Sequence, residues 1–150
     1  MKIQLMCPQD KREELQELLT SKGFEIVDKS EYVFLDKSYS DKSYIFGKDA
    51  QKALNMIGYD TILYFESFNK ITEVVTENGR YEVSEKLYEL EQALYPKDFI
   101  RVGKSVIVNL INVDRIIPWI GSKYVLELKN GDRVEVTRTY FADFRKRLGL

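Results

Sequence analysis

Apolar positions follow two kinds of spacing along the chain, and the change comes near residue 59. Before it, short apolar runs surround one helical stripe. Residues 3–7, 24–27 and 31–36 (EYVFLD) read as strands. Between the first two, Asp10 followed by Glu13 fits a capping box. Leu15, Leu18 and Leu19 then share one helical face, and Gly23 ends the helix. Residues 37–48 are polar, serine-rich and interrupted by Gly47, which marks a connection. Residues 49–57 read as a short helix closed by Gly58.

From residue 59 onward the apolar period becomes two. Residues 61–66 (TILYFE) form a strand, and residues 71–77 and 80–83 flank Asn78-Gly79 as a hairpin. That dipeptide tolerates the positive φ of a type I′ turn. A second hairpin, with arms 124–128 and 133–137, turns at Asn130-Gly131. Between the hairpins, Ser84 is placed to cap a helix whose stripe is Leu87, Leu90 and Leu94, with Pro96 beyond its end. A last helix begins near Thr139, points Phe141, Phe144 and Leu148 inward and stops at Gly149. Its outward face carries Arg145, Lys146 and Arg147, which also suit the negative end of a helix dipole. The expected organisation is a small α/β (β-α-β) segment over 1–48 and a mainly β domain with two short helices over 49–150.

Length changes the picture little: 150 residues suit one domain with an appendage. No apolar run reaches the roughly 18–20 residues that span a bilayer, and the N-terminal stretch turns acidic too soon for a signal peptide. A cytoplasmic location is expected, in keeping with a single cysteine, Cys7. The chain has no histidine, which removes imidazole from acid–base, nucleophilic and metal-ligating roles. No zinc site, cofactor or catalytic residue is expected. The carboxylates Glu66, Glu73, Glu82 and Glu135 lie on hairpin arms, where exposed glutamates are ordinary. No glycine-rich phosphate loop exists, because the eight glycines are scattered.

Charge adds an asymmetry that the net value of −1 conceals. Residues 99–150 carry ten Lys/Arg against five Asp/Glu, whereas residues 1–98 carry thirteen against nineteen. A basic C-terminal part suits a polyanion as partner, or forms a solvated charged face. Across the larger part from residue 59 onward, cations sit at loop-like positions: Lys70, Lys104, Lys123 and Arg138. Asn69, Thr72, Ser105 and Thr137 add neutral hydrogen-bonding groups beside them. No helix-turn-helix pattern appears, and the helix over 85–95 bears Glu85, Glu89 and Glu91, a poor match for a phosphate-lined groove. If this part meets DNA, its loops do so.

The stretch FIRVGKSVIVN at 99–109 concentrates the question, since Arg101, Lys104 and Ser105 interrupt two apolar runs. With residues 62–67 (ILYFES), 76–79 (TENG), 86–91 (KLYELE), Ile116, 128–131 (LKNG) and 134–138 (VEVTR), this ordered set resembles the LytTR-type DNA-binding domain over about residues 59–148. The resemblance implies an elongated, mainly β fold whose loops enter successive major grooves of DNA. It implies DNA contact by the 101–105 segment and by Thr72, Lys104 and Arg138. Lys70 and Asn69 suit phosphate contact, and Ser105 belongs with the same group. Arg101 is open between DNA contact and a structural role, and Asn109 is expected to be structural. Many relatives carry histidine where this chain has Gly103, so a contact from that position is in question.

The implied function is a bacterial transcriptional regulator that reads double-stranded DNA with paired repeats, as a homodimer at least on DNA. The opening β-α-β segment is too short for a receiver domain, and its first strand ends in Met-Cys-Pro-Gln rather than an acidic pair. Control by aspartyl phosphorylation is therefore not expected. The N-terminal segment, protein abundance, or a regulatory or membrane partner protein would supply it. The alternative is a protein-interaction or dimerisation module in which DNA binding is weak or lost.

Overall fold

The computed structural model describes residues 1–36, 43–121 and 123–150. They form two compact units, Met1–Lys42 and Ser43–Leu150. In the first, β1 (Lys2–Met6), α1 (Gln9–Ser21), β2 (Glu25–Ile26) and β3 (Val33–Leu35) build a parallel sheet of order β2-β1-β3. Ile3, Leu5, Cys7 and Leu19 form its core. The β-α-β segment is as expected, but the helix starts earlier. Pro8 occupies the cap position and makes no side-chain cap bond, while Asp10 lies inside the first turn, where its charge favours the dipole. Burial pushes the Cys7 thiol above its ordinary range, against the opposing pull of Arg12, so it behaves as a small apolar side chain.

The second unit contains β4 (Tyr44–Lys48), β5 (Leu54–Gly58), β6 (Ile62–Phe68), β7 (Ile71–Thr76), β8 (Gly79–Val83), α2 (Leu87–Ala93), β9 (Phe99–Gly103), β10 (Val106–Asn109), β11 (Val113–Trp119), β12 (Lys123–Leu128), β13 (Arg133–Val136) and α3 (Arg138–Leu148). Seven strands form one sheet of order β5-β4-β8-β7-β6-β10-β9, and β11-β12-β13 form another. The mainly β class and the two helices agree with the sequence pattern. Both Asn-Gly hairpins are present, joining β7 to β8 and β12 to β13.

Two readings are corrected. Residues 49–57 are not a helix, and residues 44–48 are not a connection: β4 and β5 pair antiparallel, and Lys48 of β4 meets Glu82 of β8. The Asp49 carboxylate accepts from the N–H groups of Gln51 and Ala53, both at 3.0 Å, so it closes a tight turn with the same chemistry that would cap a helix. Gly47 is a strand residue. A Cβ there would stand 2.6 Å from Ile57 Cδ1 and from Tyr81 Cβ, so close packing of β4 excludes a side chain. The second compact unit thus begins at Ser43, earlier than the boundary at 48 read from the pattern. The remainder of the expected connection, residues 37–42, lies outside the described residues. The helix read as capped by Ser84 starts at Leu87, and the Glu89 carboxylate accepts from the N–H of Lys86 at 3.2 Å.

The seven-stranded sheet feeds two cores. Ile62, Phe65, Val74 and Ile107 face α2, where Leu87, Leu90 and Leu94 cover them. Leu63, Tyr64, Val75 and Val108 face the other way, against Leu126, Val136 and Phe144 of the small sheet and α3. Leu63 and Tyr64 are consecutive yet share a core, because the β6–β7 register shifts between Ile62 and Tyr64. The bulge supplies the extra residue that lets both side chains point one way. Buried Asn109 and Asn112 tie the next connection down: both donate to the Ile62 carbonyl, at 2.9 and 2.7 Å. Asn109 also donates to the Tyr59 carbonyl at 3.0 Å, which bears out its expected structural role.

Tyr64 carries a polar link between the sheets. Its hydroxyl donates to the Asp132 carboxylate at 3.1 Å and accepts from Arg80 Nη2 at 3.2 Å. Burial first, and then the Asp132 carboxylate, push the phenol up to about 12. The folded state therefore keeps its proton at pH values where the unfolded chain has lost it. This contribution is complete below pH ~10 and is lost as pH rises through about 12. Urea titrations should show stability falling between those limits by about 1–2 kcal/mol more than in Tyr64→Phe. Equal slopes for the two proteins would refute the link.

Candidate nucleic-acid interface

Register brings several turns to one end of the strands. Glu66 of β6 pairs with Val106 of β10, and the N–H of Ser67 donates to the Ser105 carbonyl at 2.9 Å. The β6–β7 turn at Asn69-Lys70 and the β9–β10 turn at Lys104-Ser105 therefore lie side by side. The N–H of Thr137, just past β13, donates to the Val102 carbonyl at 2.9 Å, which sets Arg138 next along. Tyr124 pairs with Val136, so the turn after Trp119 falls at this end too, and a Cβ on Gly121 would lie 4.0 Å from Arg138 Nη2. The order along the edge is 69–70, 104–105, 137–138 and 120–121.

Local chemistry explains each turn. Asn69 and Lys70 both take positive φ, 49° and 65°, as a two-residue turn of the hairpin type requires. Arg101 builds the next one. Its Nη1 donates to Glu91 of α2 at 2.9 Å, its Nε to the Gly103 carbonyl at 3.2 Å, and its Nη2 to the Lys104 carbonyl. The guanidinium is spent on the protein's own acceptors, so Arg101 is a positioning residue for Lys104. A charged pair held by several bonds at once is ordered where a lone exposed pair would not be. This is why two apolar runs enclose a cationic stretch: the runs anchor β9 and β10, and the arginine fixes the tip between them.

Lys104, Lys70 and Arg138 are exposed, and none forms an ion pair among the described residues. Cations elsewhere on the sheets have partners: Arg80 with Glu66 and Glu73, Lys123 with Glu135, Arg133 with Glu127. Arg138 opens α3, and Thr137 before it makes no side-chain cap bond. The helix start and a guanidinium together favour an anion there. A groove of about 330 Å³ runs beneath, lined by Lys104, Ser105, Thr137, Glu66, Arg133 and Glu135. Its mixed charge suits a polyanion lying across the tips better than one entering the groove.

The structure brings Asn69, Lys70, Lys104, Ser105 and Arg138 to one edge; the two other expected contacts, Thr72 and Arg101, lie beside it but are buried or engaged. Thr72 is 7% exposed, held inside β7 between Ser67 of β6 and Val83 of β8, so its hydroxyl is withdrawn from the surface. Arg101 is engaged as described. Gly103 has an ordinary backbone, and a Cβ there would meet Thr137 Cγ2 at 3.6 Å, a normal contact, so neither strain nor crowding demands the glycine. Arg147 leaves the outward cluster: it donates to the carbonyls of Tyr95 and Lys97, at 2.8 and 2.6 Å, and burial lowers its basicity. Trp119 and Ile120 had no signal in the periodicity, because a turn tip is where the period breaks.

The second unit is an antiparallel scaffold with exposed cations on its turns, and among the described residues no two of its α-helices are adjacent in the chain. The LytTr DNA-binding domain family model matches residues 52–149, and the chain belongs to that family. A solved LytTr DNA-binding domain from a Bacillus cereus protein, described as a methyl-accepting/DNA response regulator, superposes with a TM-score of 0.69 at 32% identity, covering 73% of this chain and 99% of that one. The transcriptional regulatory protein LytR of Staphylococcus aureus strain N315 is 32% identical over 97 residues, 65% of this chain. The sensory transduction protein LytT of Bacillus subtilis strain 168 is 37% identical over 89 residues, 59% of this chain. The matched segments span 39% and 37% of the lengths of those two relatives. An uncharacterised HTH-type transcriptional regulator of Staphylococcus aureus strain NCTC 8325 is 29% identical over 116 residues, covering 77% of this chain and 75% of its own length. Among the described residues, no helix is long and apolar enough to cross a membrane.

Proposed function

We propose that this chain is a transcriptional regulator whose Ser43–Leu150 unit binds double-stranded DNA in a sequence-specific manner, laying its turn-bearing edge along the duplex so that the tips enter major grooves. The observation that carries the reading is the row of exposed, unpaired cations Lys70, Lys104 and Arg138 on turns at one edge, in a chain of a DNA-binding family. Arg138 and Lys104 read bases, the first with the bidentate fork that suits guanine. Lys70, with Asn69, grips phosphate, and Ser105 adds a hydroxyl beside Lys104. Occupancy of paired repeats by two copies fits the family. The first unit, which has a buried cysteine rather than an acidic pair after β1, gives aspartyl phosphorylation no foothold there. Its exposed Leu18, Tyr32 and Phe34 favour a second role for it, dimerisation or capture of a regulatory protein, in a cytoplasmic setting.

Selection from a random duplex pool tests the proposal. A recovered repeat is expected, with affinity that falls steeply with salt, the logarithmic slope being about −0.9 per phosphate neutralised. A pool that returns no enriched motif, or an affinity flat in salt, would leave the interaction-module reading in its place.

A further inference from the structure

Two of the most exposed large apolar side chains of the molecule stand at the ends of the same edge. Phe68 is 72% exposed at the β6–β7 turn, and Ile120 is 90% exposed at the turn after Trp119. The order along the edge is thus apolar, cation, cation, apolar: Phe68, Lys104, Arg138, Ile120. Neither apolar tip belongs to a core. Phe68 pairs with Ile71, itself 47% exposed, and Ile120 follows Trp119, 54% exposed, so each tip has an apolar neighbour. Single exposed apolar side chains are common on protein surfaces, but these two stand as paired apolar tips on turns beside the unpaired cations, where polar residues are the usual choice.

We infer that Phe68 and Ile120 are specificity-determining contacts to thymine, each taking a 5-methyl group at the floor of the major groove on either side of the cationic centre. The inference rests on the DNA-binding reading above and adds to it the base chemistry read at the two flanks. The physical ground is that the major groove offers a single apolar group, the thymine methyl, and an apolar side chain meets it without leaving a donor or acceptor unpaired. Phosphate is excluded as a partner for these tips, because it rewards only charge and hydrogen bonds. Arg138 lies beside the Gly121 turn, so a duplex gripped by that guanidinium passes within reach of Ile120. Ser67 and Ser105 join the turns at the other side, which sets Phe68 in the same relation to Lys104.

The probe is the duplex recovered from the random pool, with each thymine replaced in turn by deoxyuridine, which deletes the methyl and nothing else. Binding of the full chain should weaken about three- to fivefold at a position on each flank, the factor supplied by burying one methyl group. Ile120→Ala should abolish the deoxyuridine effect at one flank while keeping it at the other, and Phe68→Ala should do the reverse. Both side chains lie on the surface, so both variants should melt with the parent protein. Deoxyuridine effects that persist unchanged in both variants, or that are absent from the parent, overturn the inference while leaving DNA binding intact. A change in the mass of the free protein on Ile120→Ala, without loss of any deoxyuridine effect, assigns the tips to a second copy and also overturns it. A pool that yields no motif removes both readings together.

Discussion

Combining Lys104→Ala with Arg138→Ala is expected to weaken binding to the selected duplex by about 2–6 kcal/mol, each substitution removing roughly 1–3 kcal/mol of base discrimination. The two side chains rise from different turns, and neither has a carboxylate partner among the described residues. Their removal strands no buried charge, so the loss reports contact with DNA rather than damage to the fold. The effects should add if the groups meet different bases. Equilibrium titration at fixed salt measures this, and the melting temperature should stay with that of the parent. The salt dependence separates roles further. Lys70→Ala should lower the logarithmic salt slope by about one while costing every sequence alike, as loss of a phosphate contact does. A double variant that binds within twofold of the parent would remove this edge from the interface.

Phe144→Ala is the substitution expected to cost most in stability, about 3–5 kcal/mol, because it deletes a fully buried aromatic ring. Phe144 sits on α3, its ring 5.8 Å from that of Tyr124 on β12, and it closes the core shared by the small sheet and the bulged face of β6. The surrounding strands are tied by register on both sides and cannot collapse into the void. For a domain of this size the melting temperature should fall by at least about 10 °C. Because α3 begins at Arg138, the same substitution couples stability to recognition: DNA binding should fade at lower temperature, while affinity well below the melt stays near that of the parent. Thermal melts followed by circular dichroism, with and without the selected duplex, check both parts. A variant that melts within 3 °C of the parent would show that α3 is not docked through this ring.

The sequence was most legible where one residue type decides the backbone. Asn78-Gly79 and Asn130-Gly131 marked two hairpins, although only the glycines take positive φ, 134° and 90°, and the asparagines do not, so the turns are not the type I′ expected. Gly149, with φ 70°, ended the last helix as read. It was least legible where the same chemistry serves two geometries. Asp49 looked like a helix cap and closes a strand turn, and Gly47 looked like a break and is a strand residue crowded by Ile57 and Tyr81. Of the candidate interface, the lysine and arginine on turns were visible because cations outside a periodic pattern stand out. The burial of Thr72 was not legible because strand periodicity does not show that β6 and β8 flank it on both sides. Arg101 was ambiguous because its carboxylate, Glu91, belongs to α2 and becomes a neighbour only when α2 covers the sheet.

The tips of this edge stand outside both cores, on backbone held by bulges, buried asparagines and a multiply bonded arginine. Changing Lys104, Arg138 or Ile120 disturbs no buried methyl, so such changes do not draw on the narrow margin that keeps the chain folded. If the proposed interface holds, address and framework are separable: exchanging a handful of exposed turn residues would redirect binding to new operators, and an engineer could do the same by grafting turns onto an unaltered scaffold.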